Sequence, residues 1–157
     1  MKVALIVIGK TDELYLEQGI AKYVNRLVHY IPFEMKILPD VRRNRNISFE
    51  QQKKMEGELI LQQIQPGDEL FLLDEKGRSF SSRAFSEFID KKVMSGVKRL
   101  VFVIGGPYGF SDEVYQKAIG RISLSEMTFS HQMVRLIFVE QLYRAMSISK
   151  GEPYHHD

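Results

Sequence analysis

The sequence predicts an α/β fold, a mostly parallel sheet flanked by helices in a single domain spanning residues 1–157. Three observations carry this expectation. Short apolar runs of strand length recur along the chain, stretches with helical patterning lie between them, and glycine, proline or polar clusters separate the two kinds. Strands that alternate with helices need crossover connections, which lay the helices on the faces of a parallel sheet. At 157 residues and 44% hydrophobic content the chain is large enough for a genuine core and too small to need a second one.

The first run, Met1-Lys-Val-Ala-Leu-Ile-Val-Ile8, reads as strand 2–8. It is too short for a signal peptide and is followed at once by Gly9-Lys10 and Asp12-Glu13. A helical pattern from about Asp12 to Tyr30 comes next, then strand 33–38 and a helix from Ser48 to about Ile64. Ser48 with Gln51 has the form of a capping box. Strand 69–73, a helix near 81–95 and strand 99–104 follow. Ser111 with Asp112 and Glu113 starts a short helix whose dipole is complemented by acid. Strand 121–124 and a last helix over His131–Ala145 complete the pattern. No repeat or low-complexity linker interrupts it.

Bulk composition excludes several classes of function. A net charge of +2 is compatible with a nucleic-acid substrate and far from the balance of a coating protein. Zero cysteines leave no disulfide, no thiolate metal site and no cysteine nucleophile, so the expectation is a metal-free intracellular protein. No run reaches the roughly 18 apolar residues of a membrane span, and a cytoplasmic location follows by default.

The richest stretch is Val101-Phe-Val-Ile-Gly-Gly-Pro-Tyr-Gly109, a strand that stops at two glycines. About twenty residues on, the strand Arg121-Ile-Ser-Leu124 breaks into the polar loop Ser125-Glu-Met-Thr-Phe-Ser130, which opens into the last helix. Neighbouring strand ends with free backbone groups, one of them glycine, form a crevice in which main chain can hold a nucleotide-like ligand. A dinucleotide fingerprint needs glycines at i, i+2 and i+5 after the first strand, whereas Gly105, Gly106 and Gly109 follow the fourth. Gly9-Lys10-Thr11 lacks the upstream glycine of a P-loop.

Two segments keep two readings each. Val41-Arg-Arg-Asn-Arg-Asn46 is either a solvated connection or a phosphate-contacting loop, since arginine suits phosphate oxygens. The ending Pro153-Tyr-His-His156 either frays or packs back over a site.

Four separated stretches occur in an order that resembles the SPOUT class of trefoil-knotted RNA methyltransferases. They are Leu73-Asp-Glu-Lys-Gly77, Phe102-Val-Ile-Gly-Gly-Pro-Tyr-Gly109, Leu124 to Arg135 running on through Val139-Glu-Gln-Leu-Tyr-Arg-Ala145, and Pro153-Tyr-His155. With Ile8-Gly-Lys10 included, the likeness spans nearly the whole chain. Within the class, the chain is similar to the small bacterial family, RNA methyltransferases of the H type, that methylates N3 of a pseudouridine in large-subunit 23S ribosomal RNA.

The resemblance implies a C-terminal trefoil knot, a homodimer, and S-adenosylmethionine bound in a bent shape within the knot. Its implied cofactor residues are Leu73, Gly105, Leu124, Ser125, Glu126, Met127, Thr128 and Phe129. Taken without the family, these are three strand ends or following loops, apolar enough to sandwich adenine and rich in free backbone groups. Losing the N3 proton of a uracil-like ring needs a base or a group that stabilises the anion. Tyr154, His155 and Glu140 are the catalytic candidates, with Glu140 also spaced i, i+4 before Arg144 as a favourable helical pair. His131 reads as a helix-start residue that fixes the cofactor loop.

Relatives commonly carry arginine or lysine after the terminal Tyr-His, whereas His156 and Asp157 stand here, which weakens a phosphate anchor at that point. Arg135 and the loop residues Arg42, Arg43 and Arg45 remain for the RNA backbone. So small a surface points to shape recognition of a ribosomal subunit or whole ribosome. Competing readings are a noncatalytic RNA-binding or ribosome-assembly factor of the same fold, a relative with another RNA target, a dimeric scaffold, and a nicotinamide-dependent oxidoreductase, which the glycine spacing disfavours.

Overall fold

The computed structural model describes residues 1–41 and 46–156. Among them, β1 (Lys2–Ile8), β2 (Phe33–Leu38), β3 (Glu69–Ser79), β4 (Arg99–Ile104) and β5 (Gly120–Ser123) form a parallel sheet in the order β2-β1-β4-β3-β5. Five helices accompany it among the described residues: α1 (Leu14–Leu27), α2 (Phe49–Gln62), α3 (Ser82–Met94), α4 (Asp112–Lys117) and α5 (His131–Ser149). A short 3₁₀ helix over Pro153–His155 follows α5. The chain thus adopts the α/β class expected from its alternating pattern. No helix among the described residues is long and apolar enough to cross a membrane.

The continuous apolarity of β1 has a direct cause, which is that both faces of the strand are covered. Side chains alternate across a strand, so Val3, Leu5 and Val7 pack with residues of α1, α3 and α5, while Ala4, Ile6 and Ile8 pack with residues of α2 and α4. Helix α5 sits between α1 and α3 and is apolar on more than one side for that reason. Phe138, Val139 and Leu142 are fully buried, and Ser86 of α3 donates to the Ala145 carbonyl at 2.7 Å.

The boundaries differ from the expectation most clearly at three places. Helix α1 starts at Leu14 because the preceding chain is held by α5: Gln132 accepts from the Asp12 amide at 2.9 Å and donates to the Lys10 carbonyl at 3.0 Å. Helix α5 runs on to Ser149. Strand β3 continues past Leu73 to Ser79, with a register shift against β5 between Leu73 and Arg78. At that shift a Cβ on Gly77 would stand 2.5 Å from the main-chain carbon of Arg121, so only glycine lets the two backbones lie so close. Both cap signals hold: Ser48 and Gln51 form the reciprocal box, and Ser111 accepts from the Val114 amide.

Because β4, β3 and β5 are adjacent and parallel, their carboxyl ends lie along one edge of the sheet. The segments leaving that edge are 74–77, 105–110 and 124–130. Crevices outside the carboxyl ends of such strands are where open α/β sheets hold ligands.

Candidate active site

A cleft of about 580 Å³ opens at this edge. Its walls carry Leu73 at the end of the regular part of β3, Ile104 at the end of β4, and Ile122 and Leu124 around the end of β5, with the main chain of Gly105 and Gly106 exposed between them. Gly105 is set by packing, since a Cβ there would stand 2.9 Å from the Phe110 ring. That ring is 6% exposed and meets Tyr115 edge-on at 5.7 Å.

The loop after β5 is braced at several points. Ser125 accepts from the Met127 amide at 2.9 Å, Thr128 donates to Glu75 at 2.6 Å, and Ser130 caps α5 by accepting from the Met133 amide at 3.1 Å. The Thr128–Glu75 bond ties this loop to the one leaving β3. Deeper in, the Tyr115 hydroxyl donates to Asp74 at 3.3 Å, and burial, followed by the Asp74 charge, raises its pKa above the ordinary phenol value. The result is a cleft whose walls mix apolar side chains with main-chain groups and the carboxylates of Asp74 and Glu75, of a size suited to a nucleoside.

A second cluster lies further along α5. Arg144 donates to Glu140 from two nitrogens, at 2.6 and 3.1 Å, and its third contact is to Nδ1 of His155 at 3.1 Å. The Tyr154 hydroxyl donates to Glu140 at 3.0 Å, and the Arg144 guanidinium lies 4.7 Å from the Tyr154 ring centroid. Gln141 occupies the other Glu140 oxygen at 2.8 Å. The tail is packed back onto the helix. Tyr30 fastens it by donating to Glu152 at 2.6 Å, and that bond, with burial, pushes the Tyr30 hydroxyl up to about 12.

Protonation in this cluster follows from the partners. Burial raises the Tyr154 pKa first, and its bonds to Tyr23 and Glu140 raise it further, so the phenol keeps its proton beyond its ordinary range. Arginine has only donors, so Nδ1 of His155 is the acceptor of the Arg144 contact. A neutral His155 therefore carries its proton on Nε2. Tyr154 and His155 are donors in this arrangement, and the saturated Glu140 carboxylate holds Arg144 and Tyr154 in place.

A family model described as "Predicted SPOUT methyltransferase" matches residues 1–155. The chain belongs to the SPOUT methyltransferase family. Curated relatives extend over its full length and carry the name "Ribosomal RNA large subunit methyltransferase H". One from Parabacteroides distasonis is 61% identical over 157 residues, covering 100% of both chains. Another from Flavobacterium psychrophilum is 60% identical, covering 99% of both, and one from Porphyromonas gingivalis is 54% identical, covering 100% of both.

On this SPOUT scaffold the structure gathers Leu73, Gly105, Leu124, Ser125, Met127, Thr128 and Phe129 around the cleft. Glu126 is exposed and does not line it. Of the two readings of the tail, the structure has the one in which it packs back, and Tyr154, His155 and Glu140 come together, but away from the cleft within the same chain. His131 and Val134 line the cleft, and Glu140 is six residues beyond Val134 along α5, which at the helical rise is about 9 Å. Asp74, Phe110 and Tyr115 line the cleft and were not singled out as site residues in the sequence; Asp74 lies inside the quoted Leu73–Gly77 stretch, and Phe110 and Tyr115 follow the Gly105–Gly109 stretch. Among the described residues no group of three or more His, Asp or Glu gathers to hold a metal ion.

Arg135 is a correction. Its side chain is 0% exposed, with Nη1 donating to the Gly9 carbonyl at 2.8 Å and Nη2 to the Ile8 carbonyl at 2.7 Å. Burial lowers its pKa, and Nε has no partner. A guanidinium spent on the end of β1 does not reach an RNA backbone; it ties α5 to the β1–α1 junction. Arg135→Met should therefore destabilise the protein by about 3 kcal/mol, because the buried Ile8 carbonyl and the part-buried Gly9 carbonyl lose their donor. A thermal unfolding midpoint within a degree or two of the native one would contradict this role. The other RNA-contact expectations, Arg42, Arg43 and Arg45, lie outside the described residues.

Proposed function

We propose that this chain is a cytoplasmic methyltransferase that uses S-adenosylmethionine to methylate N3 of a pseudouridine in 23S ribosomal RNA on the assembled ribosome, acting as a trefoil-knotted homodimer. The observation that carries the reading is the cleft at the carboxyl ends of β3, β4 and β5, in a chain alike end to end with ribosomal RNA large subunit methyltransferases.

The residues present fit the proposed cofactor. The apolar walls Leu73, Ile122 and Leu124 suit a purine face, and the open main chain at Gly105 and Gly106 offers polar groups at close approach. Bound S-adenosylmethionine supplies an electrophilic methyl group. The chain's own task is to orient the pyrimidine and to ease loss of its N3 proton. His155 presents an Nε2–H donor, and the Tyr154 O–H, which rests on Glu140 at 3.0 Å, becomes a second donor when it turns from Glu140 to the bound base. Donors aimed at the ring oxygens that flank N3 stabilise the anion left when that proton passes to water. In this reading they are electrostatic stabilisers, and Glu140 positions them.

Cleft and donor cluster are separated within one chain, so the homodimer is the means of bringing a tail to the cleft of its partner. Methyl transfer from labelled S-adenosylmethionine to ribosomes from a strain lacking this gene tests the reading, with naked ribosomal RNA alongside. Label on N3 of a large-subunit pseudouridine, with ribosomes strongly preferred, is the expected result. Cofactor binding without label on either substrate would overturn it.

A further inference from the structure

Two aromatic rings at the rim of the cleft have no role in the account so far. Phe49 and Tyr108 stack on each other with centroids 4.0 Å apart and planes at 25°. Both are exposed, Phe49 at 62% and Tyr108 at 43%. Scattered exposed apolar residues need no explanation, but two large rings paired in the open are a different matter.

Each ring is held by a local device. Phe49 is the first residue of α2, directly after the Ser48 cap whose reciprocal bonds with Gln51 fix that helix start. Tyr108 is in the turn closed by the Gly109 amide donating to the Gly106 carbonyl at 3.2 Å, beside Pro107. The two devices come from distant parts of the chain, and the rings meet where Tyr108 also lines the cleft. Phe49 does not line it.

We infer that Phe49 and Tyr108 form a stacking platform for an unpaired base of the RNA substrate, next to the base that reacts. This rests on the methyltransferase reading above and assigns part of its substrate recognition. Three observations favour a nucleobase as the occupant. Aromatic faces take any base without regard to sequence, as a shape-reading enzyme requires. The platform is continuous with the cleft through Tyr108. And the sequence immediately before Ser48 carries Arg42, Arg43 and Arg45 with no acid among residues 41–46, a run of charge complementary to phosphate.

The chain contains no tryptophan, so Phe49→Trp installs a single tryptophan at the platform, whose emission is excited apart from that of the tyrosines. Titration with a short oligoadenylate should quench it, whereas a chain of equal length without bases should not. Adding Tyr108→Leu should weaken the oligoadenylate affinity about tenfold. In transfer assays with ribosomes, Phe49→Ala should raise KM about tenfold and leave cofactor affinity at the native level. Equal quenching by the base-free chain, or an unchanged KM, overturns the platform. A changed sedimentation coefficient with an unchanged KM does so too, and assigns the rings to a protein contact. Native transfer without quenching overturns the platform alone, and quenching without native transfer overturns the proposed reaction alone.

Discussion

Gly105→Val is expected to raise the dissociation constant for S-adenosylmethionine at least about 100-fold while the protein remains folded. The reason is the position of Phe110. Even the first carbon of a side chain at 105 would stand 2.9 Å from Cε1 and 3.0 Å from Cζ of that ring. The ring cannot retreat inward, because it is packed with Tyr115 and with the core formed by β1, β4, α2 and α4. Displacement goes outward, into the slot, and the two further valine methyls follow it. Overpacking of this kind costs about 2 kcal/mol of stability, which lowers the unfolding midpoint without unfolding the domain. Calorimetric titration gives the affinity and thermal denaturation checks the fold. A folded variant with native affinity would remove Gly105 from the cofactor site. Gly106→Ala should behave differently, since a Cβ there would stand 2.6 Å from a buried Glu56 carboxylate oxygen. Its first effect falls on the buried side of the turn.

How far these features were readable follows from the range over which they are determined. The capping box at Ser48 and Gln51 involves residues three apart, and it forms as written in the sequence. The unbroken apolarity of β1 likewise announces a strand covered on both faces. The length of β3 was not legible, because it depends on Gly77 meeting Arg121 and Ile122 across the sheet, and nothing local marks that contact. The cleft shows the same division. Strand ends and a glycine turn announce a crevice, but the bracing of Thr128 by Glu75 joins residues 53 positions apart. Arg135 was misread because charge was taken as exposure. Its neighbours Val134 and Leu136 both pack against the core, and on a helix enclosed between two others the surroundings carry more information than the residue's own polarity.

Arg144→Met should lower kcat for the proposed ribosome methylation by about 100-fold and leave the affinity for S-adenosylmethionine unchanged. Arg144 touches Glu140, His155 and the face of Tyr154 together. Methionine keeps much of the volume and removes every donor, so Glu140 loses its cation and His155 loses the contact that fixes its tautomer. Arg144→Lys restores charge without the planar fork and should recover only part of the rate. Cofactor affinity is spared because none of these residues lines the cleft of the same chain and, in the proposed dimer, the tail faces the base rather than the cofactor. Alkaline pH separates the two roles open to Tyr154. Its raised pKa means that the native cluster holds a neutral phenol, whose stabilising bonds are fully present below the ordinary tyrosine value and are lost only as pH rises through the higher folded value. As a hydrogen-bond donor Tyr154 therefore gives a rate that does not rise with an ionisation of its own on the alkaline side, and Tyr154→Phe lowers kcat without moving the profile. A native rate that climbs with a tyrosine ionisation, absent in Tyr154→Phe, would make the phenolate the base and overturn the donor assignment.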